Sequence, residues 1–123
     1  MVQAGRDAGR LMAAGHNFVG MPGYERLKKA AHSGDLGRIS MAEINWCFPM
    51  PPLRAGPFGL WLLREPRNLL LELGPHLFAF ATDLFGPVGV THLELSKPIT
   101  LPGGEIRHQG WRLLARAGDV DVT

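Results

Sequence analysis

Glu72 and His76, two side chains that can exchange protons, stand four residues apart in the most apolar stretch of the chain. On a helix that spacing puts both on one face; Phe80 continues the column and Asp83 lies close to the same line. A carboxylate next to an imidazole can orient the ring, and the ring can exchange a proton with a substrate hydroxyl. The same spacing also suits an ordinary polar helix pair, or a satisfied buried one. Few other chemistries can be built from these residues. The five histidines (16, 32, 76, 92 and 108) show no metal-site spacing, and Cys47 has no second cysteine. No G-x-S-x-G elbow and no phosphate-binding P-loop occur. No G-x-G-x-x-G stands at a strand-to-helix turn to hold a pyrophosphate.

The segment Asn68 to Gly86 must position this pair. Leu70, Leu73, Leu77, Ala81 and Leu84 form an apolar stripe beside the column. Gly86-Pro87 supplies a helix stop. Proline is tolerated in a helix mainly in its first turn. Pro75 therefore predicts that the regular helix starts between Leu71 and Gly74, with His76 in its first turn among free backbone amides.

Upstream, residues 3–13 read as a short exposed helix, and Met12 to Val19 as a short strand. Pro22 opens a second helix. Tyr24, Leu27, Ala30 and Ala31 keep helical spacing, Gly34 ends the helix, and Leu36 covers its last turn. Arg38 to Phe48 reads as a strand rich in bulky residues. Residues 49–66 are too proline-rich for regular structure and read as a long loop. Phe58, Trp61, Arg54 and Arg64 make that loop either a wall over a site or a packed surface loop anchored by Trp61.

Downstream, Val88 to Ser96 and Glu105 to Ala115 read as strands joined through Pro102-Gly103-Gly104. Val120 to Thr123 begins a third strand, with an unpaired edge that suggests a truncated boundary or completion by a partner. The expected fold class is α+β, a mainly antiparallel sheet of at least four strands with helices on one face.

A chain of 123 residues fits one domain with a real core. With 46% hydrophobic and 20% charged residues, the composition excludes a disordered chain. A net charge of +2, with the basic residues scattered, argues against a nucleic-acid partner. A single cysteine fits a reducing, cytoplasmic setting. No apolar run reaches the roughly 18 to 20 residues that span a bilayer, so no membrane role is expected.

The order Ala14-Gly15-His16-Asn17, Pro22, Leu27-Lys28, Ser33-Gly34-Asp35-Leu36-Gly37-Arg38-Ile39, Trp61, Glu72-Leu73-Gly74-Pro75-His76 and Asp83-Leu84-Phe85-Gly86 resembles the Gfo/Idh/MocA oxidoreductases. These are the relatives of glucose–fructose oxidoreductase and inositol 2-dehydrogenase. The resemblance implies a two-domain parent enzyme: a Rossmann domain binding NAD or NADP, then an α/β substrate domain whose broad sheet packs against another subunit. It implies that residues 1–20 are a remnant of the dinucleotide-binding domain and 21–123 the substrate-binding and oligomerisation domain. The family's D-x-G-x-H motif falls on Glu72 and His76. His76 would then be the acid/base exchanging a proton with the hydroxyl of a sugar or polyol, and Glu72 would position it or the substrate. Asn17 and Trp61, together with Arg64 of the proline-rich loop, are the expected substrate-binding residues.

There are departures from the family pattern. Glu72 replaces the usual aspartate, Pro75 directly precedes the histidine, and Phe18 and Val19 stand where arginines are common. Ser96-Lys97-Pro98 resembles the family's E-K-P motif but follows the histidine helix, so the catalytic lysine's role is not carried over to it. The reading expected is a fragment of an NAD(P)-dependent sugar or polyol oxidoreductase, inactive alone and binding no dinucleotide by itself, and a homo-oligomer through its sheet. The alternative is a free-standing, non-catalytic dimerisation or interaction module. A small cofactor-free isomerase or lyase using Glu72 and His76 is a third.

Overall fold

A long helix lies across a four-stranded sheet, and most of the chain before it packs against that helix or the sheet's far end. The computed structural model describes residues 2–123. In chain order the helices are α1 (Val2–Asp7), α2 (Pro22–His32), α3 (Pro52–Ala55), α4 (Trp61–Arg64) and α5 (Asn68–Phe85). A 3-10 turn over Asn17–Gly20 precedes α2. The strands are β1 (Met41–Ala42), β2 (Gly89–Thr100), β3 (Ile106–Ala117) and β4 (Val120–Val122).

The sheet order is β1-β4-β3-β2, antiparallel except for the β1–β4 pair. The fold is therefore α+β with a mostly antiparallel sheet. The β2–β3 hairpin is its backbone, pairing Glu94 with Arg112 and Leu95 with Trp111. Its tip is closed where the amide of Leu101 donates to Glu105 (2.8 Å) and that of Gly104 to Leu101 (2.9 Å).

Two small cores hold the layers together. Ala81 of α5 packs with Ala115, Ala117 and Val122, flanked by Ile44, Phe85, Val88 and Val120. Leu53, Leu63 and Leu101 form the second, joining α3 and α4 to the hairpin tip. Small residues where α5 crosses the sheet let the backbones approach closely.

Four expectations need correction. Met12 to Val19 contains no strand; its end is the 3-10 turn, and no neighbouring strand offers it a ladder. Only Met41 and Ala42 of the segment 38–48 join the sheet, because their partner β4 is three residues long. The loop 49–66 contains two helical turns, α3 and α4; Pro52 opens α3, where a missing amide costs least, and α4 (Trp61–Arg64) lies between Pro57 and Pro66. Strand β4 is not an edge: β1 covers its outer side, with the amide of Thr123 donating to Ala42 and that of Ile44 to Thr123.

The start of α5 is the fifth correction. The helix begins at Asn68 and runs through Pro75 to Phe85. Buried packing holds the turns before the proline. Asn68 and Leu69 are both buried, and the Asn68 amide donates to the carbonyl of Trp61 (2.6 Å). That anchoring offsets the backbone donor lost at Pro75. His76 thus sits in the third turn, away from the free amides of the helix start.

Candidate active site around His76

The ring of His76 stands in an aromatic box. Phe18 meets it at 5.0 Å and 87°, Trp46 at 5.6 Å and 51°, and His16 at 6.3 Å and 89°. Phe18 also packs edge-on to Trp46 at 4.9 Å, and Trp46 touches Phe48 at 6.1 Å. The 3-10 turn delivers Phe18 and its leading residue His16, while the segment after β1 delivers Trp46. Helix α5 delivers His76 from below. T-shaped contacts of this kind fix the ring plane.

The two ring nitrogens of His76 differ. Nδ1 is buried and has no hydrogen-bond partner. Nε2 also has no partner among the described residues, but it is not sealed off in the same way. Nearly all buried polar atoms find partners, so an orphan calls for an explanation. Nδ1 is the orphan here, within a ring that three aromatic neighbours surround.

Glu72 lies on α5 one turn earlier, is exposed, and makes no hydrogen bond or ion pair among the described residues. The expected Glu72–His76 pair is therefore not formed. Asn17, between His16 and Phe18 on the 3-10 turn, is exposed, and its amide makes no internal hydrogen bond among the described residues.

The structure places Trp61 and Arg64 elsewhere. Trp61 is 49% exposed on α4, and its carbonyl accepts the Asn68 bond. Arg64 donates through Nε to the carbonyl of Gly59 (3.1 Å). It lines a hollow of about 340 Å³ with Phe58, Leu101, Glu105 and Arg107 at the hairpin tip. Among the described residues no ring contact, hydrogen bond or shared cavity links either residue with His76. The loop is a packed wall against β2 and β3, not a roof over the imidazole.

An open groove of about 590 Å³ runs along α5 next to the box, walled by His16, Val19, Pro75, Thr82 and Asp83. Asp83 is committed to structure. Its Oδ2 accepts from the Tyr24 hydroxyl and its Oδ1 from Lys28, both at 2.8 Å. The Lys28 hydrogen bond, then the Tyr24 one, holds the Asp83 carboxyl below the usual range. Burial, then Asp83, pushes the Tyr24 hydroxyl up. Asp83 likewise raises Lys28. His32 adds a bond from Nε2 to the carbonyl of Leu84 (2.9 Å), so α2 is tied along the end of α5.

Three members of the box went unread in the sequence: His16, Phe18 and Trp46. His16 and Phe18 flank Asn17, and Trp46 lies in the segment Arg38 to Phe48 that reads as a strand. Their alignment depends on a 3-10 turn and on an irregular segment after β1, neither of which has a periodic signature. Among the described residues no three metal-ligating side chains come together, and no helix is long and apolar enough to cross a membrane.

A family model described as the GFO/IDH/MocA C-terminal domain matches residues 24–113. No curated protein and no solved structure matches the chain.

Proposed function

The chain belongs to the GFO/IDH/MocA family through that C-terminal domain, and on this premise we propose that it supplies the substrate side of an NAD(P)-dependent sugar or polyol oxidoreductase. The observation that carries the reading is the asymmetry of His76, with Nδ1 buried and unpartnered and Nε2 without an internal partner among the described residues but not buried in the same way. In the oxidising direction, Nε2 of His76 accepts the hydroxyl proton as the carbonyl forms; in reduction it returns that proton. In this reading Asn17, exposed and without an internal hydrogen bond among the described residues, holds a neighbouring hydroxyl. Glu72, one helical turn away and unpaired, is available to the substrate or to the ring once a ligand is bound.

Trp61 and Arg64 enter this reading only as an outer wall of the substrate domain. The hydride partner it requires is a nicotinamide dinucleotide. The described residues contain no strand running through a glycine-rich turn into a helix, the unit that cradles a pyrophosphate. No step is therefore assigned to the dinucleotide on this chain.

The reading includes self-association through the sheet. Strand β2 is exposed along its length except at Ile99, and Leu93 and Leu95 are 43% and 45% exposed. Lys97 takes a left-handed conformation (φ 51°) and Pro98 lacks an amide donor, both of which discourage pairing along the free edge. Face-to-face packing is the remaining route.

A second reading, a non-catalytic dimerisation module, is favoured by one observation: Trp61 and Arg64 do not converge on His76. Nitrogen-detected NMR of the imidazoles, titrated with D-glucose, separates the two. The oxidoreductase reading expects the His76 Nε2 signal to move while those of His92 and His108, outside the box, stay fixed. Histidine signals that all stay fixed, with a dimer in analytical ultracentrifugation, would leave the module.

A further inference from the structure

We propose that the hollow at the hairpin tip, lined by Arg64 and Arg107, is a binding site for a small organic anion, a carboxylate or phosphate carried on an apolar body. None of its lining residues is among the rings that meet His76, so the site stands or falls separately from the oxidoreductase reading.

The central observation is the state of Arg107. It is 7% exposed, and Nε, Nη1 and Nη2 donate to the carbonyls of Leu63, Ile106 and Arg64. A guanidinium has five N–H groups, so one on each terminal nitrogen keeps no internal acceptor among the described residues. Carbonyls satisfy hydrogen bonds but bring no net charge. A cation taken out of water without an opposite charge beside it is costly.

The chain's own acids do not supply that charge. Glu105 also lines the hollow, but it is exposed, its carboxylate leans over Gly103, and it bonds to neither guanidinium. Glu65, next to Arg64 in the chain, pairs with Arg67 at 2.8 Å.

Arg64 adds a second cation. Its Nε is used on the carbonyl of Gly59, and its terminal nitrogens make no hydrogen bond among the described residues. Arg54 lines the adjoining hollow, which shares Phe58 and Leu101 with this one. Guanidinium forks hold carboxylate and phosphate oxygens through short, charge-assisted bonds. A hollow of about 340 Å³ has room for more than an inorganic ion. Phe58, Leu63 and Leu101 give it an apolar wall for the rest of the ligand.

The test uses the whole chain and three probes that share a ring and differ in head group: benzoate, phenyl phosphate and neutral benzyl alcohol. Binding is read from the thermal midpoint and from the side-chain Nε–H NMR signals of Arg64 and Arg107. Arg64→Gln removes an exposed guanidinium and keeps the backbone carbonyl that Arg107 uses. Glu105→Gln removes the opposing charge. Arg107 stays in place in both variants because it holds α4 on the hairpin.

Benzoate or phenyl phosphate is expected to bind about tenfold more tightly than benzyl alcohol, moving the Arg107 signal and raising the midpoint. The tighter of the two identifies the head group. Arg64→Gln should weaken the anion about fivefold and leave benzyl alcohol unchanged. Glu105→Gln should tighten the anion about threefold. Benzyl alcohol binding as well as both anions would reduce the hollow to an apolar crevice and overturn the proposal. Anion binding that Arg64→Gln leaves unchanged would overturn it too. So would a parent chain that binds neither anion and loses stability on Glu105→Gln, because Glu105 itself would then be the counterion of Arg107.

Discussion

Phe18 meets the imidazole of His76 edge to face, centroids 5.0 Å apart and planes 87° apart. The contact joins a turn ahead of α2 to the middle of α5, and Nδ1 of the same ring is buried without a partner. A nitrogen buried without a hydrogen bond lowers stability. Under the proposed reading, the chain trades that stability for the presentation of the other nitrogen.

Replacing His76 should expose that trade. His76→Phe keeps a ring in the box and removes the orphan nitrogen. Urea unfolding is expected to show unchanged stability or a gain of up to about 1 kcal/mol, with all sugar response lost. A loss of more than about 2 kcal/mol would mean that the imidazole has a partner in solution.

Arg107 offers a second test. It is 7% exposed, yet none of its bonds goes to an acid. Nε donates to the carbonyl of Leu63 and Nη2 to that of Arg64, both at 2.7 Å, and Nη1 to Ile106 at 2.8 Å. The guanidinium thus caps the last carbonyls of α4 and holds the wall on the hairpin. Arg107→Met leaves those carbonyls unpaired and should cost about 2–4 kcal/mol by chemical denaturation. Arg107→Lys, with one rotatable ammonium in place of a fork, should recover only part of the loss.

The α2–α5 joint sets a pH dependence. The carboxyl of Asp83 is held low when folded, so its contribution is present above the ordinary aspartate range near about 4 and is lost as pH falls below it. Tyr24 and Lys28 are shifted upward. Their contributions are present below their ordinary values near about 10 and are lost as pH rises past them. Thermal unfolding midpoints should fall on both limbs; Asp83→Asn should remove the acid limb and weaken the alkaline one, where burial of Tyr24 remains. Tyr24→Phe should cost about 1 kcal/mol near neutrality, since Asp83 is partly exposed. A variant with the parent's pH profile would show that the triad does not form.

Much of the scaffold was legible because local chemistry and global fold agree. Pro22 and Gly34 bracket α2, Gly86 ends α5, and Pro102-Gly103-Gly104 turns the hairpin. The start of α5 was not legible. Pro75 argues locally for a later start, and the buried Asn68 and Leu69 that override it are fixed by α4, a tertiary effect. The length of β1 depends on β4, far away in the sequence. The Glu72–His76 spacing pointed to a pair that does not form, and the rings around His76 were not legible. Phe18 and Trp46 reach it from segments without periodicity, while Trp61 and Arg64 were drawn to the hairpin tip by Leu63 and Arg107.

The most direct measurement is the reactivity of the His76 ring toward diethyl pyrocarbonate, followed residue by residue by mass spectrometry, with and without saturating D-glucose. With Nε2 open and facing the substrate, His76 should be carbethoxylated at a measurable rate, and the sugar should slow that reaction severalfold while leaving His92 unaffected. A His76 that stays unmodified while the other histidines react, or one modified at the same rate with sugar present, would contradict its role as the proton-exchanging residue.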